Sequence, residues 1–141
     1  MIKSILLPVD LNHASSWEKA LPLAVSLAQT HGAEIHVLVV IPDYGMAIVG
    51  SQFPKGFSDA AATETASALE TLMADHIPAD ISATPHVVHG TIYKEILIVA
   101  DSAGCDTIVM GAHRPEMKDY LLGPNSARVV RHASQSVFVV R

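Results

Sequence analysis

"VMGAHRPEMKDYLLGPNSARVV", residues 109–130, carries an apolar run into Gly111, crosses a polar stretch of mixed charge, and resumes a helical pattern after Gly123 and Pro124. A connection of this length inside a compact domain is uncommon, and where it occurs it is usually functional or without fixed structure. An apolar strand before it and a helix after it make it a strand-to-helix loop. The fold depends on whether the rest of the chain repeats that alternation.

It does. "SILLPVDL" (residues 4–11) is an apolar run broken by Pro8 and Asp10, which predicts a buried strand. Ser15 or Ser16 can cap a helix running to His31, with Gly32 as its C-cap. Leu21, Ala24, Val25 and Ala28 form one core-facing stripe, and Pro22 either kinks that helix or marks its first turns. "EIHVLVVI" (34–41) is a second strand closed by Pro42, and residues 43–57, with three glycines and a proline, read as loop. A helix capped by Ser58 or Asp59 runs to about His76, with Ala62, Ala66, Leu69 and Met73 on one face. "TPHVVHG" (84–90) is a third strand. "TIYKEILIVADSAG" is a third helix that turns Ile92, Ile96 and Val99 inward. "DTIVMG" (106–111) is the fourth strand, residues 125–133 a short helix, and "QSVFVVR" (135–141) the fifth strand.

Strands alternating with helices at this spacing imply right-handed βαβ units and a doubly wound parallel α/β sheet. Composition agrees. Of the 141 residues half are hydrophobic, yet only 5% are aromatic and 16% charged. The core is therefore built from Val, Ile, Leu and Ala, as in a sheet buried on both faces. The length predicts one domain over residues 1–141. No apolar run approaches the roughly 18 residues of a membrane span, the N-terminal run is too short for a secretory signal, and one cysteine, Cys105, forms no internal disulfide. These features point to the cytoplasm. A net charge of −5 argues against nonspecific nucleic-acid binding. The eight histidines show no H-x-x-x-H or C-x-x-C spacing, so no metal site is expected. His36, His86 and His89 read as half-buried strand residues, Cys105 as a small buried thiol, and Lys94–Glu95 as a solvated helix face.

In open α/β sheets ligands bind beyond the carboxyl ends of the strands, where strand order reverses. That rule selects residues 8–10, 39–42, Gly90 and the start of the long loop at 110–114. A glycine at a strand's end lets another group approach the backbone, and a helix opening after Gly123 and Pro124 attracts anions with its free N–H groups. Pro124 suits the first helical position but has no N–H. Asn125, Ser126 and the Ser126 hydroxyl remain as donors, and the Arg114 fork can complete a phosphate cradle. The alternative is that both glycines only relieve crowding in a turn. Asp10 with Asn12 and His13 could be imagined as an acid–base cluster, but an aspartate at a strand end more often caps a turn or accepts from a ligand. Tyr120, Leu121 and Leu122 read as an apolar anchor for the loop or a contact for a partner subunit. No Ser–His–Asp order, nucleophile elbow or Gly-rich phosphate loop of the G-x-x-x-x-G-K-[ST] type is present.

With "ILLPVD", "VVIP", "HGTIYKEIL", "IVMGAHRP", "YLLGPNSARVVRHA" and "SVFVVR" in this order, the whole chain resembles the universal stress protein family. Its ATP-binding members carry G-x-x-G, nine residues, then G-[ST]. The resemblance implies a five-stranded parallel sheet of order 3-2-1-4-5 with two helices on each face. It also implies an adenine-nucleotide site, with Pro8, Val9, Asp10 and Val40 at the adenine and Met110 and Gly111 at the ribose. Arg114, Gly123, Asn125 and Ser126 would surround the phosphates, with His113 beside them. Arg114 occupies the motif's second glycine position, eight residues separate it from Gly123, and Pro124 replaces the Ser/Thr. Either the guanidinium replaces lost backbone contacts, or the ligand is AMP or ADP in place of ATP; Mg2+ can accompany the nucleotide. The resemblance further implies a binding module that signals stress to a regulatory protein partner. A different class, an enzyme hydrolysing ATP at a useful rate, and a nucleotide-free interaction domain are the alternatives. The apolar fifth strand lies at an edge and predicts a homodimer pairing two copies of residues 136–141, Ser136 through Arg141.

Overall fold

A computed structural model describes residues 1–42, 55–112 and 124–141, with the side chains of residues 55–59 and 124 excepted. The loop expected at 43–57 falls mostly outside these residues, and His113, Arg114, Tyr120, Leu121, Leu122 and Gly123 fall wholly outside them.

The central strand is β1 (Ser4–Pro8). Its side chains alternate between faces as a strand's must: Ile5 and Leu7 enter one buried cluster and Leu6 the other. β2 (Glu34–Pro42) pairs in parallel on one side of β1 and β4 (Thr107–Gly111) on the other. β3 (Ala83–Gly90) and β5 (Ser136–Val140) complete the sheet at its two edges, giving the order β3-β2-β1-β4-β5.

Among the described residues four α-helices cover it, two to a face. α1 (Ala20–His31) and α2 (Lys55–His76) supply Leu21, Ala24, Ala28, Leu69 and Leu72 to the cluster around Ile5, Leu7 and Val37. α3 (Ile92–Ser102) and α4 (Pro124–His132) supply Ile96, Val99 and Val129 to the cluster around Leu6, Leu38 and Ile108. The doubly wound expectation is met in strand order and helix layering.

Element boundaries differ from expectation where side chains compete for the backbone. β1 stops at Pro8, three residues short of Leu11. Val9 N–H still reaches Leu38 O at 2.8 Å, but the chain then turns, with His13 N–H donating to Asp10 O and Asn12 N–H to Asp10 Oδ1, both at 3.0 Å. An aspartate bonding the N–H two residues on builds a turn of its own. Neither Ser15 nor Ser16 caps α1. A 3-10 turn (Ala14–Ser16) intervenes, and α1 begins at Ala20. Pro22 is third in that helix, within the turn whose N–H groups have no helical acceptor, so its missing donor costs nothing there. Gly32 closes α1 with φ 68°, in the left-handed region that favours glycine. α2 starts at Lys55, ahead of Ser58 and Asp59. Val25, Ala62, Ala66 and Met73 are half-buried, while Leu72, absent from the expected stripe, is buried.

Candidate functional site

β1, β2 and β4 end side by side. After β1 the tight turn is strapped by Ser16, whose Oγ accepts the Asp10 N–H at 2.8 Å and donates to His13 O at 2.7 Å. β4 ends at Gly111, pressed against that same strap. A Cβ added there would sit 2.6 Å from Ser16 O, closer than any side chain tolerates, so the residue is glycine because the 3-10 turn needs its space. The group approaching the Gly111 backbone is thus part of the protein. Opposite, Ser126 near the start of α4 is 3% exposed, and its Oγ donates to Gly111 O at 3.3 Å. This bond directs the hydroxyl at β4. It leaves the α4 backbone N–H groups, beginning with Asn125, as donors at the helix's positive end.

Between these elements lies a cleft of about 660 Å3, within the 300–1,000 Å3 usual for small-molecule sites. Pro8, Val9, Asp10, Val40, Met110, Gly111, Asn125 and Ser126, all named from the sequence, line it together. His113, Arg114 and Gly123 lie outside the described residues. The floor is apolar: Leu38, Val40, Ile96 and Met110 continue the core beneath it. Asn12 and His13 border it from the turn after β1. The wall that sequence reasoning missed is α2, which presents Ala61, Glu64, Thr65 and Ala68 to the cleft. Their i, i+3, i+4, i+7 spacing was legible, but it lies one residue from the core stripe through Ala62 and Ala66 and was hidden by it.

Among the described residues the titratable groups with shifted affinities lie elsewhere, toward the amino end of the sheet. Ser4 Oγ donates to Glu34 Oε1 at 3.1 Å and lies 3.5 Å from Cys105 Sγ; Glu34 Oε1 is 3.0 Å from His36 Nε2; and His36 Nδ1 is 2.8 Å from His86 Nε2. Hydrogen bonds from His36 and then Ser4 lower the Glu34 carboxyl below its ordinary value. Burial, and after it the charge of His36, lowers His86. Burial raises the Cys105 thiol, the opposite of what a reactive cysteine needs. His36 and His86 are the half-buried, hydrogen-bonded residues expected, whereas His89 is exposed. Among the described residues no group of three or more His, Cys, Asp or Glu is placed to hold a metal, and no helix is long and apolar enough to cross a membrane.

A family model, the universal stress protein family, matches residues 1–141. Universal stress protein G of Shigella flexneri is 34% identical, with 100% of both chains covered. Among solved structures, universal stress protein UspA from Lactobacillus plantarum superposes with a TM-score of 0.77 at 25% identity, covering 99% of this chain and 98% of its own. Two more distant relatives share the fold and were solved with ligands. One is a universal stress protein in complex with cAMP, at TM-score 0.65, 20% identity, and 99% and 97% coverage. The other is from Archaeoglobus fulgidus in complex with dAMP, at TM-score 0.67, 18% identity, and 100% and 98% coverage. Strand order, the cleft at the strands' carboxyl ends and a match along its whole length lead to one conclusion: the chain belongs to the universal stress protein family.

Proposed function

We propose that the protein is a cytoplasmic adenine-nucleotide-binding module of the stress response, taking ATP, or AMP or ADP in its place, in the cleft at the ends of β1, β2 and β4. One observation carries this reading: eight residues scattered from Pro8 to Ser126 converge on one cleft of nucleotide size with an apolar floor and a helix N-terminus at its rim. Relatives of the same fold holding cAMP and dAMP support it. The base packs on Val9 and Val40, the ribose on Met110 and Gly111, and the phosphates face the start of α4 with Arg114 and Gly123. Mg2+ enters with the phosphates of a longer nucleotide. Occupancy then serves as a state signal for a protein partner.

The same reading includes a homodimer through β5, which is hydrogen-bonded to β4 alone among the described strands and leaves Phe138 38% exposed. An apolar strand edge of this kind invites pairing with a second copy. Val139→Pro gives monomers by light scattering, and a dimer of unchanged strength would place the interface elsewhere.

Calorimetric titration with ATP and adenosine tests the site. Arg114→Ala weakens ATP about ten- to a hundredfold, as expected for a lost hydrogen bond to a charged group, and leaves adenosine unchanged. Gly123→Val weakens ATP more than adenosine, and Asp10→Ala weakens both. Equal losses for both ligands in Arg114→Ala would remove that residue from the phosphate site. Phosphate release on the order of one per second, the low end for enzymes, would replace the binding module with an enzyme.

A further inference from the structure

We infer that Glu64 of α2 reads the exocyclic amine of the nucleobase and so makes the cleft selective for adenine; this rests on the adenine-nucleotide reading above. The cleft has two unlike sides. α4 packs on β5 and opens beside the end of β4, whereas α2 packs on β3. With the strands in the order β3-β2-β1-β4-β5, the two helices lie on opposite sides of β1. A helix N-terminus attracts the anionic end of a ligand, so the phosphates belong on the α4 side. The other end of the nucleotide is left facing α2.

There the wall is small except at one position. Ala61, Thr65 and Ala68 leave room beside Glu64, whose carboxylate has no hydrogen-bond partner among the described residues. A carboxylate is acceptor-only. It repels phosphate and matches a donor, and adenine's amine is the donor that edge of the base offers. The other carboxylate lining the cleft is engaged differently: Asp10 Oδ1 takes the Asn12 N–H of its own turn. Glu64 therefore stands at the place, and with the chemistry, to accept from the amine. Because Glu64 is exposed, its carboxylate returns to water when the amine is missing, so the discrimination it supplies is modest: the net value of one hydrogen bond.

The test compares AMP with purine riboside monophosphate, the same nucleotide without the amine, by calorimetric titration of wild type, Glu64→Ala and Glu64→Gln. Wild type binds AMP about tenfold tighter, the factor that one charge-assisted bond at an exposed position supports. Glu64→Ala brings the ratio close to one by weakening AMP alone. Glu64→Gln, whose amide carbonyl still accepts but without the charge, keeps a reduced preference between the two. Equal binding of the two ligands by wild type, or a preference that survives in Glu64→Ala, overturns the role of Glu64 and leaves nucleotide binding standing. A wild-type protein that binds neither ligand overturns both. Glu64 is exposed on a helix surface, so matching thermal melts confirm that each variant is folded.

Discussion

At the amino end of the sheet, Ser4, Glu34, His36 and His86 are hydrogen-bonded to one another in a chain, while at the carboxyl end Asn12, His13 and Glu64 border an open cleft. The same strands, β1 and β2, run through both regions, so the difference lies in how the polar groups are matched. Within that chain of four residues donors and acceptors satisfy one another, which is how a fold accommodates polar side chains it has half-buried. At the carboxyl end the backbone is satisfied locally, by Asp10, Ser16 and Ser126, and side chains are left to meet something else. Shifted acidities occur in the closed region and the ligand-sized cleft in the open one. A perturbed ionisation is often a pointer to function, but here it marks structure.

Breaking the boundary between the two regions has the largest effect. Leu38 is fully buried, lines the cleft, and is the register partner of His86. Leu38→Ala costs about 2–5 kcal/mol, the usual range for a buried leucine, measured by denaturant unfolding. A loss well below that would mean the cleft floor collapses to fill the gap. Next is Gly111→Ala. The added Cβ meets Ser16 O, a backbone atom that cannot rotate away, so either the strand end or the 3-10 turn moves. Stability falls by about 1–3 kcal/mol, and nucleotide binding weakens with it, because the displaced turn carries Asp10 and His13. Unchanged stability would show that the strap yields freely.

The smallest effect concerns the closed region and is read as a slope. His86 has a lowered proton affinity in the folded state. The unfolded chain therefore takes up that proton first as pH falls through about 6.5, the ordinary histidine value. Stability declines as pH drops from there toward the folded-state value and is undiminished above it. His86→Gln keeps a hydrogen-bonding group beside His36 and flattens this part of the stability profile. Glu34 acts lower on the scale: its lowered affinity contributes stability above the ordinary carboxylate value that is lost as pH falls through the folded one. An unaltered profile in His86→Gln would assign the decline to another group.

The alternation of strands and helices, Gly32 as a helix stop and the position of the cleft were all legible in the sequence, because they follow from periodicity and from a rule about strand ends. Where β1 ends and α1 begins was not. Asp10 and Ser16 read as ordinary strand-end and capping residues, yet their side chains bond the backbone of one turn, and Trp17, Glu18 and Lys19 fall outside the expected helix. Gly111 was read as open to a ligand, and a carbonyl from the preceding turn is its neighbour. Glu64 was invisible because one helix carries two apolar or small stripes, one for the core and one for the cleft. Position in the sequence does not say which stripe meets a ligand.

Backbone amide shift mapping during titration with AMP tests the contrast between the two ends most directly. Resonances of Val9, Asp10, Val40, Met110, Gly111 and Ser126 should move together and saturate at one affinity, while those of Glu34, His36 and His86 stay fixed. Saturable shifts centred on His36 and His86, with the cleft residues unmoved, would contradict the assignment of the carboxyl-end cleft as the binding site.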